Sequence, residues 1–123
     1  MLTDTVRRLS AADPKNTTPC SYVIGDPEAG TPLTPYCIIG HALHENGVSL
    51  NVLQAAHQMK FIDIAQHPGE SVYAPIDNLI AATPPQDIYW LAYVQHQQDH
   101  GFTWAEAVQA ADNQYPDMKR ENA

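Results

Sequence analysis

Cys37, His41 and His44 stand at i, i+4 and i+7 of one stretch, Tyr36-Cys37-Ile38-Ile39-Gly40-His41-Ala42-Leu43-His44. A thiolate and two imidazoles on one helix face are the ligand types of a zinc centre, and Cys20, seventeen residues before Cys37, would complete a tetrahedral shell. The spacing argues against it. Hairpin-then-helix zinc modules keep their two cysteines about two to four residues apart and leave the histidines alone on the helix. At about 100° per residue, Tyr36, Ile39, Ala42 and Leu43 fall on one side, and Cys37, Gly40, His41 and His44 on the other. Such a helix is either packed on two faces or presents chemistry on one. A small Cys beside a helix Gly is a common packing solution. Packing is the favoured reading, with no metal, no cofactor and no catalytic residue expected. A small zinc-binding protein using Cys37, His41 and His44, with Cys20 as fourth ligand, is the alternative. A Cys20–Cys37 disulfide is a third arrangement, disfavoured in a reducing compartment. Cysteine-based catalysis needs an imidazole across a cleft from the thiol, whereas His41 points outward in parallel with Cys37.

A second group of chemistry-bearing residues falls between Gln86 and His100. There Ile88, Trp90, Leu91 and Val94 form one face, suited to a core. Tyr89, Tyr93, His96 and His100 lie opposite, within an arc of about 60° at helical spacing. An ordinary solvent face would carry Glu and Lys. Tyrosine and histidine are amphipathic and suit interfaces, so these four residues are the expected contact surface, to a protein partner or to a second copy in a homodimer. His96 and His100, at i and i+4, are also a conceivable metal pair.

The elements that must position these groups follow from turn and cap chemistry. Leu2, Val6 and Leu9 recur at helical spacing, with Thr3 as cap and Asp13-Pro14 as stop. Cys20 to Ile24 reads as a short strand, Gly25 to Pro32 as turns, and Leu33-Thr34 as a returning strand. Pro35 is suited to open the next helix, which Asn46-Gly47 ends. Ser49 caps a helix over Leu50, Val52, Leu53 and Ala56, which His57 to Ile64 continues or restarts and His67-Pro68-Gly69 ends. A short helix is expected at Ile76 to Ala82, and Pro84-Pro85 opens a long one that Gly101 ends. Thr103 and Glu106 form a capping box for the last helix, which runs to Tyr115 and stops at Pro116. Residues Asp117 to Ala123 read as a frayed tail. The expected fold is a mainly α single domain, residues 1–123, with a small β-hairpin and about five helices.

Composition sets the exclusions. The chain has 123 residues, 44% of them hydrophobic and 16% charged, which suits one globular domain with its own core. Its formal charge is −8, and between Phe61 and Met118 there is no Lys or Arg while Asp63, Glu70, Asp77, Asp87, Asp99, Glu106, Asp112 and Asp117 are acidic. Nucleic acid is excluded as a partner because no cationic footprint exists to release counterions. The same deficit argues against anionic membranes. The helix from Trp104 to Gln114 has no base and two acids, so it cannot serve as a recognition helix. No apolar run approaches the roughly 20 residues of a membrane span. The polar start Met1 to Arg8 does not read as a signal peptide, and a cytoplasmic protein with free thiols is expected.

Tyr36-Cys37-Ile38-Ile39-Gly40-His41-Ala42-Leu43, within Cys20 to Gly47, resembles a family of small proteins of unknown function from actinobacteria and their bacteriophages. A second matching part is Gly101-Phe102-Thr103-Trp104-Ala105-Glu106-Ala107-Val108. The resemblance spans about half of the chain. It departs at Phe102, where the family often has Arg, and at His41 and His44. It implies the helical fold, a phage or actinobacterial setting and no known activity. Together these readings point to a non-enzymatic protein-interaction module, acting on a host factor if the gene is viral.

Overall fold

Prolines, glycines and side-chain caps set the ends of most elements. The computed structural model describes residues 2–12, 22–56 and 74–120. In these, α1 (Leu2–Ala12) precedes a hairpin of β1 (Val23–Asp26) and β2 (Thr31–Pro35), joined through a 3-10 turn at Pro27–Ala29. There follow α2 (Ile38–Glu45), α3 (Leu50–Ala55), α4 (Ala74–Ala81), α5 (Pro85–Asp99), α6 (Trp104–Gln114) and α7 (Pro116–Arg120). The protein is mainly helical with one two-stranded antiparallel sheet, as the sequence pattern predicts.

The hairpin pairs Val23 with Pro35, Ile24 with Thr34 and Asp26 with Thr31, with a slip between Ile24 and Asp26. Asp26 caps the 3-10 turn by accepting from the Glu28 amide. Ser49 caps α3 through the Val52 amide. Thr103 and Glu106 make the reciprocal capping box, with each side chain accepting from the other residue's backbone N–H (3.2 and 2.9 Å). Gly101, at φ +95°, lets the chain reverse between α5 and α6, which an L side chain would resist.

Several boundaries differ from expectation, and the hairpin strands reach into the expected turn, with Gly25 and Asp26 in β1 and Thr31 and Pro32 in β2. Pro35 does not open α2. It ends β2 opposite Val23, and the helix starts at Ile38 with Cys37 as its cap. Thr3 lies inside α1 and is buried rather than capping it. Pro116 starts α7 instead of ending order, because its fixed φ suits a first helical position and its missing N–H costs nothing there. Met118 is 2% exposed, so α7 is docked rather than frayed. The expected stops at Asp13-Pro14 and His67-Pro68-Gly69, and the stretch His57 to Ile64, lie outside the described residues.

The core joins α1, α2, α5 and α6. Leu2 and Val6 of α1, Ile38, Ile39, Ala42 and Leu43 of α2, Trp90, Leu91 and Val94 of α5, and Trp104, Ala107, Val108 and Ala111 of α6 belong to one buried cluster. A polar clasp closes it. Arg7 reaches from α1 over the ring of Trp90 (4.6 Å) and donates twice to the Asp112 carboxylate (2.9 and 2.7 Å) and once to the Met118 carbonyl (3.0 Å). The Trp90 indole N–H donates to the same carboxylate (3.1 Å). One side chain of α6 thus ties α1, α5 and, through Arg7, α7 together. Taking a carboxylate largely out of water is tolerable because three donors meet it.

Candidate functional site

On α2 the structure converts each potential ligand into a packing or capping group. Cys37 has extended backbone (φ −73°, ψ 165°), and its Sγ accepts from the Gly40 amide (3.3 Å) in the place usually taken by a Ser or Asp oxygen. It is a free thiol with 0% exposure, so no substrate reaches it. The Ile38 amide, another helix-end donor, is satisfied by the buried Gln98 Oε1 (3.2 Å). A Cβ at Gly40 would stand 2.9 Å from the Tyr22 carbonyl carbon and Cα, and closer still to the carbonyl oxygen. That oxygen accepts from the Tyr36 amide (3.0 Å), extending the hairpin pairing by one step, and the Tyr22 hydroxyl meets Gln95 (3.2 Å). The hairpin backbone therefore lies directly on α2, and only glycine allows it.

The two histidines of α2 diverge. The half-buried His41 ring meets the ring of Trp104 edge-on (5.3 Å, 66°). His44 is exposed, and its Nδ1 donates to the Val48 carbonyl beyond the helix end (3.0 Å). Among the described residues, no three His, Cys, Asp or Glu side chains are placed to hold a metal ion. Cys20, the fourth ligand of the zinc alternative and the other half of the disulfide one, lies outside the described residues. The helix is packed on both its aliphatic and its Cys/Gly sides.

On α5 the same residue types have the opposite fate. Ile88, Trp90, Leu91, Val94, Gln95 and Gln98 are buried. Tyr89 is 54% exposed, and His96 and His100 are exposed. Tyr93 is the exception within the predicted stripe. It is half-buried, with its ring edge-on to Tyr115 (6.0 Å, 86°). The rings of His96 and His100 lie 4.2 Å apart at 49°, and His100 Nδ1 donates to the His96 carbonyl (2.7 Å). Phe102, just past the end of α5, is a further exposed large aromatic at 41%. The contact-surface expectation did not include it. The signal was legible in Gly101-Phe102-Thr103, where an aromatic between a turn and a cap has no helix face to bury. Arg7 and Asp112 also carried no sequence signal, because 105 residues separate the partners.

Glu106 is held below its usual range of about 4.5 by the Thr103 backbone N–H, then by the Thr103 hydroxyl, which marks a helix cap. Among the described residues, no helix is long and apolar enough to cross a membrane. Compared with protein-family models, curated proteins and solved structures, the chain matches none.

Proposed function

We propose that this chain is a non-enzymatic protein-interaction module whose contact surface is the exposed side of α5, carried by Tyr89, His96 and His100 and extended by Phe102. The observation that carries this is the exposure of Tyr89, 54%, beside two exposed imidazoles, on a helix whose other side is core. Tyrosine supplies large contact area with only two side-chain torsions to freeze. Tyr93, half-covered by Tyr115, is the edge of this surface rather than its centre. The thiol–imidazole arrangement of α2 supports a non-catalytic role, since Cys37 is enclosed and serves as a cap. The partner is another protein, a host protein in the phage setting that the family resemblance implies, and a second copy is the version requiring no host.

A photo-crosslinking residue at Tyr89 tests this against the same residue at Glu28, on the exposed hairpin turn. Capture at position 89 alone supports the surface, and a product of twice the chain mass assigns it to a homodimer. Equal capture at both positions, or none at either in native-host extract, overturns it.

A further inference from the structure

We propose that His96 and His100 form a two-imidazole site for a late first-row transition-metal ion, Cu2+ or Ni2+ in preference to Zn2+. The site stands whether or not the tyrosine stripe contacts a protein.

The first ground is the state of the ring nitrogens. In the neutral ring, the hydrogen bond from His100 Nδ1 to the His96 carbonyl at 2.7 Å leaves the lone pair on Nε2. A metal-bound histidine almost always donates its other ring N–H in this way, commonly to a backbone carbonyl, which fixes tautomer and ring orientation. Neither ring nitrogen of His96 has a hydrogen-bond partner among the described residues, and both rings are exposed. His44 differs in placement, since its Nδ1 anchors to the Val48 carbonyl beyond the helix end.

The second ground is spacing. An ion about 2.0–2.1 Å from each Nε2 stands about 3.2 Å from each ring centroid. Ligands at a right angle then place the centroids about 4.5 Å apart, and a tetrahedral angle places them about 5.2 Å apart. The observed 4.2 Å puts the two rings within reach of one ion, and tetragonal Cu2+ and Ni2+ take imidazole nitrogens at adjacent positions. Affinity order favours copper as well. Among the described residues no third His, Cys, Asp or Glu joins the pair, so the other coordination positions face water or a donor brought by a partner. A net charge of −8 raises the local concentration of any cation.

The test titrates the full chain with CuCl2 while following the imidazole C–H resonances, assigned by single substitutions. The ring signals of His96 and His100 should broaden first, at well under one equivalent. A parallel titration with NiCl2 should show the dissociation constant rising at least about tenfold in either His96→Gln or His100→Gln, the scale on which loss of even an outer-shell partner is felt. Zn2+ should bind more weakly than either. Both positions are exposed, Gln is a good helix former at position 96 and position 100 lies just beyond the helix, so far-UV circular dichroism should be unchanged. Even if a variant lost helicity, the order of broadening in the unaltered chain decides. Broadening that starts at His41, His44, His57 or His67, or single variants that titrate like the parent, would overturn the site.

Discussion

Two helices of this protein carry clustered histidines, and they use them in opposite ways. On α2, Cys37 caps, Gly40 admits the Tyr22 backbone, His41 meets Trp104 and His44 closes onto Val48. On α5, Tyr89, His96 and His100 remain open to solvent while the opposite side of the same helix fills the core. Residue type is therefore a poor guide to chemistry. What decides is whether the nitrogen and sulfur atoms are already committed. A short helix covered by a hairpin has its ends and its donors used up locally. A fifteen-residue helix packed along one side leaves a stripe that nothing else in the described chain covers.

The contrast can be broken most forcefully at Gly40. Gly40→Leu should cost about 3 kcal/mol or more in denaturant unfolding, or prevent folding, because the new side chain meets main chain rather than a flexible side-chain end. Propensity alone predicts a gain of roughly 1 kcal/mol or less over glycine. A neutral or stabilised variant would mean that the Cys/Gly side of α2 is open after all.

Next in size is the clasp on the packed side of α5. Asp112→Ala strands Arg7 and the Trp90 indole N–H, and should lower stability by about 2–3 kcal/mol. Unchanged unfolding there would show that the core side of α5 is held by apolar contacts alone. Thr103→Ala, at the cap of α6, should cost about 1 kcal/mol in the same measurement. Smaller still is a pH effect at Glu106, whose folded-state pKa is depressed by Thr103. Its contribution is fully present above about pH 4.5, the unfolded value, and is lost as the pH falls through the lower folded value. Unfolding curves from pH 6 down to pH 3 should show a loss that is smaller in Thr103→Ala. Smallest in stability is Tyr89→Glu, expected within about 0.5 kcal/mol of the parent because the ring is exposed. Its effect should appear in partner capture instead. A large loss of stability would move Tyr89 from the open side of the comparison to the packed one.

Much of the fold was legible because its signals are local. Ser49, Thr103 with Glu106, Pro85 and Gly101 act on their own neighbours, so their elements follow from a few adjacent residues. The core side of α5 was readable for the same reason, since helical periodicity separates Ile88, Trp90, Leu91 and Val94 from Tyr89, His96 and His100. Pro35 and Pro116 depart from their local signals because a proline suits a strand end, a helix start and a helix stop alike. Its neighbours in space choose among them. Val23 pairs with Pro35, and the core takes up Met118 beside Pro116.

The sequence by itself determined a mainly helical acidic domain, the punctuation of most of its elements and two chemistry-bearing helix faces. Only the tertiary structure decided which face is sealed. That outcome depends on Tyr22 crossing Gly40, on Tyr115 covering Tyr93, and on Asp112 gathering Arg7 and Trp90. Such contacts join residues far apart in the chain, and no local pattern of caps or periodicity encodes them. Whether an imidazole is free to bind is settled by what folds against it.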